Sequence, residues 1–220
     1  MNLLVVSPHA DDETLGAGGL ILKYKDAGWN VCWLNVTSVK EEYGFSAEVV
    51  VKREKEIQEV NRLFQFDNFI NLSLKPANLD IYNKSDLVSR FSSVISKIQP
   101  EIVIIPFYND VHSDHRIVFE TIYSCTKSFR YPYLKKILCM EILSETDFAM
   151  SDHGFIPNYF VDITKYIDQK IKIMQVYKSE IAPPPFPRSI ENIKSLARVR
   201  GSSCGCEFAE GFRLLKGIES

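Results

Sequence analysis

The feature that most constrains this chain is a series of short apolar runs, rich in β-branched residues and separated by stretches with helical spacing. Three of these runs are Leu3–Val6, Val31–Val36 and Ile102–Ile105. Continuous apolar runs of this length are typical of strands buried on both faces, and the stretches between them can supply helical crossovers. The sequence therefore predicts α/β organisation with a parallel sheet covered by helices on both sides.

The remaining elements are predicted from the same periodicities. We expect further strands at Phe69–Leu72, Ile137–Leu143 and Tyr159–Val161. Helical spacing predicts helices over Thr14–Ala27, Ser46–Phe64, Asp86–Ile98, a segment ending near Lys127, and Lys165–Ser179. The proline-rich segment Ile181–Pro187 fits neither a helix nor a central strand, because proline lacks an amide donor. We expect either an ordered loop near the functional site or a plain connector.

The bulk properties indicate one globular domain over residues 1–220. Hydrophobic residues make up 45% of the chain, which is enough to build a sizeable core. A formal net charge of −2, with dispersed basic residues, argues against nucleic acid as a partner. No run has the length of a transmembrane helix, and the first apolar run is too short for a signal peptide. An odd number of cysteines, five, fits reduced thiols and a cytoplasmic location, and a homo-oligomer stays open.

Two polar segments follow predicted strands. Pro8–Glu13 reads Pro-His-Ala-Asp-Asp-Glu directly after the first strand, and Val111–His115 lies a few residues after Ile102–Ile105. In open α/β sheets, ligands bind at the carboxyl ends of the strands, so these segments are expected to share one crevice. Imidazole and carboxylate groups suit zinc, and a catalytic zinc site needs three protein ligands and an open position. Taken alone, each segment also fits an ordinary capped or solvated helix start.

The chain resembles the LmbE/PIG-L family of metal-dependent N-deacetylases at these residues. The family's two motifs are present as Pro8–Glu13 and as His112-Ser113-Asp114-His115. The resemblance extends over nearly the whole length, through Gly16–Gly19, Arg53–Glu56, Val161–Thr164, Arg200–Gly201 and Ala209–Phe212. It implies a Rossmann-like three-layer sandwich, a Zn²⁺ cofactor and removal of the N-acetyl group from an acetamido sugar. The sugar's carrier stays open between a free, a nucleotide-linked and a lipid-linked form.

The resemblance also implies roles for individual residues. It assigns the metal to His9, Asp12 and His115, the general base to Asp11, and stabilisation of the oxyanion to His112. These roles match what hydrolysis of an amide requires, namely an activated nucleophile, an oxyanion partner and a proton for the leaving amine. We expect Asp114 to orient His112 and to keep it protonated through its negative charge.

Three residues are expected to bind the substrate. Arg53 matches an arginine that contacts the polar part of the substrate in the family, and its planar guanidinium suits hydroxyl pairs or phosphate. Some members carry a tyrosine two residues before the first histidine of the second motif, where it helps to bind the oxyanion. Asp110 occupies that position here. Tyr108 could take over the role if the loop bends back.

Two other functions compete with deacetylation. The motifs indicate hydrolysis of an amide, but they do not identify the acyl group that is removed. Removal of a formyl group, or cleavage of a thiol-conjugate amide, is therefore an alternative. From another class, the chain could be a non-catalytic module that binds a metal or a nucleotide. A Gly-x-Gly-x-x-Gly segment, which would favour nucleotide binding, does not follow the first strand.

Overall fold

A seven-stranded sheet forms the centre of the protein in the computed structural model, which describes residues 1–219. Its strands lie in the order β3-β2-β1-β4-β5-β7-β6. The first five of these pair in parallel, and β7 runs antiparallel to both of its neighbours. The mostly parallel sheet predicted from the sequence is confirmed. The strands are β1 (Asn2–Ser7), β2 (Asn30–Thr37), β3 (Asn68–Leu74), β4 (Ile102–Ile105), β5 (Lys136–Met140), β6 (Tyr159–Asp162) and β7 (Ala209–Gly217).

Helices cover both faces of the sheet and complete the three-layer sandwich. The described α-helices are α1 (Asp12–Asp26), α2 (Ala47–Phe64), α3 (Lys84–Ile98), α4 (Ser113–Tyr123), α5 (Ile167–Met174) and α6 (Ile190–Ser202). One core packs α1, α2, α5 and α6 against the sheet, and the other packs α3 and α4 on the opposite face. Strand β1 contributes side chains to both cores, because successive residues of a strand point to opposite faces of the sheet. Leu3 and Val5 belong to the first core, and Leu4 and Val6 belong to the second.

The structure differs from the predicted elements mainly near the C-terminus. Helix α5 ends at Met174 instead of Ser179, because the chain then turns so that the Tyr177 hydroxyl donates to Glu13 Oε1 at 3.0 Å. Helix α6 and strand β7 were not among the predicted elements. Strand β7 lacks a continuous apolar run because it carries the buried carboxylate of Glu210, which accepts from Lys170 Nζ at 2.7 Å.

The sheet topology also determines where a ligand can bind. Strand β1 lies between β2 and β4, so the chain winds outward on one side of β1 and then returns to continue on the other side. A crevice opens at such a switch point, beyond the carboxyl ends of the two central strands. Within residues 1–219, none of the helices combines the length and apolarity needed to cross a membrane.

Candidate active site

The two motif segments meet at the switch point of the sheet. Strands β1 and β4 are direct neighbours, with Val5 opposite Ile104. Pro8–Glu13 leaves the end of β1 and leads into α1, while the segment after β4 leads into α4. The expected shared crevice is therefore present, and it brings His9, Asp12 and His115 together.

The candidate ligand atoms of these three residues form a compact triangle. His9 Nδ1 lies 3.3 Å from His115 Nε2, and Asp12 Oδ2 lies 3.3 Å from His115 Nε2 and 3.6 Å from His9 Nδ1. Tetrahedral zinc with bonds of about 2.0–2.1 Å places its ligands roughly 3.3–3.4 Å apart. We call this group, with Asp110 and Asp114, the metal corner.

Two carboxylates hold the other nitrogen atoms of the two histidines. Asp114 Oδ2 lies 3.0 Å from His9 Nε2, and Asp110 Oδ2 lies 2.9 Å from His115 Nδ1. Metal-binding histidines are commonly fixed in this way, because the carboxylate selects the tautomer and makes the ligand nitrogen more basic. Asp114 also accepts from two backbone amides, those of Ala77 and Leu79, at 2.6 and 3.2 Å.

A second group, His9, His112 and Asp114, also brings three candidate ligand atoms close together. Its members are already engaged. Asp114 accepts the hydrogen bonds just described, and His112 Nδ1 accepts from the Asp114 backbone amide at 3.1 Å. The triangle of His9, Asp12 and His115 is therefore the better candidate for a metal site.

The electrostatics of the metal corner suit a bound cation. Burial disfavours the charged form of His9, yet its hydrogen bonds to the carboxylates of Asp114 and Asp12 raise its pKa to about 9. Burial likewise opposes protonation of His115, and the charges of Asp12 and Asp110 still raise its pKa well above the usual range. The carboxylates thus attract positive charge to this point, and a divalent ion there would displace protons from the histidines.

Asp11 does not belong to the metal triangle and pairs with a charged residue outside it. It is the N-cap of α1 with a φ of 151°, a backbone conformation that L-residues rarely adopt. Its Oδ2 accepts from Arg188 Nη1 at 2.6 Å. Burial and the neighbouring charge of Asp12 raise the pKa of Asp11 to about 7, and Arg188 opposes that rise. A carboxylate with a pKa near neutrality is well matched to general base chemistry.

His112 caps the N-terminus of α4, and its environment corrects one prediction. Because Nδ1 accepts a backbone N–H, a hydrogen on the ring is left for Nε2, and the ring is neutral in this arrangement. Burial, followed by the charges of His9 and His115, lowers the pKa of His112 to about 4. The Asp114 carboxylate faces His9 instead of His112, so it does not hold His112 protonated as predicted, and Asp114 contacts the His112 ring only through its backbone amide.

The structure also corrects two of the predicted substrate-binding residues. The side chain of Asp110 is buried against His115 and accepts the His112 backbone amide at 2.9 Å, so it is not available to a substrate. Tyr108 lies outside the cavity, where its ring packs against Phe107 and Phe119. The loop does not bend back as that role for Tyr108 required.

Arg53, the third predicted substrate-binding residue, does lie in the cavity beside the metal corner. This cavity has a volume of about 490 Å³, and His9, Asp11 and His112 also line it. The Arg53 guanidinium donates to the carbonyl oxygen of Ala10 at 2.7 Å and to Glu180. Arg53 therefore joins helix α2 to the motif loop.

Sequence reasoning missed three charged residues that line the cavity. Arg188 donates to Glu145 Oε1 at 2.9 Å, to Glu180 Oε2 at 3.3 Å and to Asp11. We call Glu145, Glu180 and Arg188 the arginine wall. Glu180 and Arg188 bracket the proline-rich segment, which is thus the loop near the site and not a plain connector. The charged residues on each side of the proline-rich segment are a sequence signal for Glu180 and Arg188, and Glu145 has no such signal.

Comparisons with known proteins agree with this geometry. The family model PIG-L, described as GlcNAc-PI de-N-acetylase, matches residues 4–126, which is more than half of the chain. Diacetylchitobiose deacetylase from Thermococcus kodakarensis is 24% identical over 234 residues, covering 98% of this chain and 84% of that protein.

Two solved structures share the fold. The conserved protein TT1542 from Thermus thermophilus superposes with a TM-score of 0.79 at 24% identity, covering 99% of this chain and 96% of its own. The 4-carboxy-2-hydroxymuconate hydratase GalB from Pseudomonas putida gives a TM-score of 0.76 at 16% identity, covering 100% and 98%. Since GalB is a hydratase, the fold by itself does not select the reaction. The extent of the family match, together with both motifs, shows that this chain belongs to the PIG-L family.

Proposed function

We propose that this protein is a zinc-dependent hydrolase that removes the N-acetyl group from an acetamido sugar. The observation that carries the proposal is the triangle of His9 Nδ1, Asp12 Oδ2 and His115 Nε2, with separations of 3.3–3.6 Å, at the edge of a cavity that also holds Asp11 and His112. The acetamido sugar is proposed as the substrate because the family is described as GlcNAc-PI de-N-acetylase and the Thermococcus kodakarensis relative is a diacetylchitobiose deacetylase.

The donor set fits zinc. Two imidazole nitrogens and one carboxylate oxygen are suited to this ion, and catalytic sites use three protein ligands so that one position remains for water or substrate. His9 and His115 would each bind through the nitrogen that does not face its carboxylate partner. When bound, zinc lowers the pKa of a water molecule and polarises the amide carbonyl.

The protein's own residues would move the protons and stabilise charge. Asp11 lines the cavity without contributing to the metal triangle, so it can accept a proton from the attacking water and return it to the leaving nitrogen. His112 can donate from Nε2 to the oxygen that becomes negative in the tetrahedral intermediate. A neutral imidazole suffices for this hydrogen bond, so the role of His112 does not depend on its being protonated.

Several parts of the sequence-based expectation stay predictions. Only an assay distinguishes removal of an acetyl group from removal of a formyl group. The same holds for a sugar substrate against a thiol conjugate. A cytoplasmic location, a small-molecule partner without nucleic acid, one domain over the whole chain and a homo-oligomer also stay predictions. A non-catalytic binding module is the alternative from another class.

The test is metal analysis combined with a substrate panel. Elemental analysis of the purified protein should find about one zinc-class ion per chain. Acetamido and formamido sugars should then be incubated with metal-loaded and metal-stripped protein, and the released amine measured. We expect turnover of acetamido sugars by the loaded protein alone. Absence of amine release from every sugar, despite full metal occupancy, would overturn the proposal in favour of a binding module or another reaction.

A further inference from the structure

The charges that line the cavity are unbalanced. With a metal ion bound, its histidine ligands are neutral, and three lining carboxylates, those of Asp11, Glu145 and Glu180, face two guanidinium groups, those of Arg53 and Arg188. The metal corner adds the buried carboxylates of Asp12, Asp110 and Asp114 directly behind this lining. A divalent ion offsets only part of this excess, so the cavity stays negative with the metal in place.

Neither arginine is free to receive an anion. Arg188 donates from Nε to Ser144 Oγ at 2.7 Å, and its two terminal nitrogens donate to Asp11, Glu180 and Glu145. This guanidinium is therefore surrounded by acceptors of the protein itself.

The guanidinium of Arg53 is also surrounded by acceptors of the protein. Its terminal nitrogens donate to Ala10, Ser179 and Glu180, and its Nε lies 3.3 Å from Glu56 Oε2. A phosphate group would have to displace a carboxylate from one of these arginines, and the displaced carboxylate would then be left partly buried without its partner.

Part of the cavity lining is apolar. Val39, Phe45 and Val49 contribute apolar side chains from the segment between β2 and the start of α2. Apolar side chains suit the C–H faces of a sugar ring or an uncharged aglycone, and they cannot replace the hydration shell of an anion.

We infer that the cavity selects an acetamido sugar whose remainder carries no negative charge, as in a free sugar, an oligosaccharide or a neutral glycoside. This inference rests on the proposed function and deepens it. Glu145 and Glu180 are the residues that set the selection, because they neutralise both arginines and place negative charge beside the substrate. Sugars linked through phosphate, including nucleotide sugars and phosphoinositides, are rejected.

The experiment compares matched sugars that share one acetamido group. N-acetylglucosamine and N,N′-diacetylchitobiose are the neutral pair, and N-acetylglucosamine 1-phosphate and UDP-N-acetylglucosamine are the anionic pair. We expect kcat/KM for the neutral pair to exceed that for the anionic pair by about tenfold per elementary charge, the size of like-charge repulsion at about 10 Å near a protein surface. Raising the ionic strength should lower the ratio of the two kcat/KM values towards one, because salt screens the repulsion.

A variant tests whether the arginine wall is responsible. Glu145→Gln retains an oxygen for Arg188 but removes one negative charge, so kcat/KM for the anionic pair should rise about tenfold relative to the neutral pair. The matched control is Glu120→Gln, which removes a charge from an exposed pair with Lys84 outside the cavity and should leave the ratio unchanged. Equal or better use of the anionic pair by the unmodified protein, or a ratio that Glu145→Gln does not move, would overturn the inference.

Binding measurements keep this result separate from the proposed function. Calorimetric titration of the metal-stripped protein with the same sugars detects charge selection without turnover and without direct coordination of phosphate to the metal. Binding of the neutral pair in preference to the anionic pair, together with no hydrolysis of either, would support the inference and contradict deacetylation. Tighter binding of the anionic pair would contradict the inference whether or not hydrolysis occurs.

Discussion

The metal corner and the arginine wall adjoin the same cavity and meet where Arg188 pairs with Asp11, but they are built differently. The metal corner comes from two short segments that follow adjacent parallel strands, and its contacts are direct products of the sheet topology. The arginine wall comes from the loop after β5 and from the ends of the proline-rich segment, which pair through side chains alone. In the function and selection proposed above, strand ends supply the reaction chemistry and connecting segments supply the selection of substrate.

The largest effect is expected in the metal corner itself. His115→Ala should lose the metal and all measurable turnover together, because two remaining ligands hold zinc poorly. Elemental analysis and amine release would be measured on the same sample. His153→Ala, at an exposed histidine that ends a short 3₁₀ helix, is the matched control and should retain both. Full metal occupancy in His115→Ala would remove this residue from the ligand set.

Asp11 links the two regions, and its substitution should separate metal binding from chemistry. Asp11→Asn should retain the metal while kcat falls by roughly 10²–10⁴, the usual size of a general acid–base contribution. Loss of zinc with near-normal turnover per bound ion would show that the roles of Asp11 and Asp12 are exchanged.

His112 should have the next largest effect. His112→Ala should lower kcat by about 10²–10³, the typical result of removing one oxyanion donor, with the metal retained. Because Nδ1 already accepts a backbone amide, we expect no requirement for a protonated ring. Single-turnover rates would distinguish this loss of chemistry from a loss of binding, and a change confined to KM would contradict the role.

A substitution of Asp114 tests whether its carboxylate acts through His9, which it contacts, or through His112, as the sequence predicted. Asp114→Asn should weaken metal affinity by roughly 10–100-fold, as is usual for partners of metal-bound histidines, because it weakens the support of His9. Competition with a chelator measures this affinity. An unchanged affinity accompanied by a lower kcat would instead favour the original prediction that Asp114 acts through His112.

The arginine wall should give the smallest effect on the reaction. Arg188→Lys keeps the charge but not the planar fork that reaches Asp11 and Glu145 together, so kcat should fall by about tenfold with the metal retained. Arg198→Lys, on the exposed face of α6, is the control. A loss of metal in Arg188→Lys would mean that the two regions are not independent.

Hydrophobic periodicity and capping residues predicted a strand or helix correctly where its structure depends on its own residues. Strand β4 matches the predicted run Ile102–Ile105, and α2 begins directly after the expected Ser46, whose hydroxyl accepts from the Val49 amide at 3.4 Å. Strand β7 was missed because its polar Glu210 is buried only through pairing with Lys170 of α5, a contact between distant parts of the chain.

The sequence by itself determined the parallel sheet, the meeting of both motifs at neighbouring strand ends, and the presence of metal-binding residue types there. Only the tertiary structure decided the partner of each carboxylate. Asp114 pairs with His9 rather than His112, Asp110 supports His115, and Asp11 faces Arg188. The reason is physical. Strand ends converge whatever their side chains, because the backbone of a parallel sheet fixes them. The partner of a buried charge depends on distances of a few ångströms between side chains from separate elements, which local periodicity does not encode.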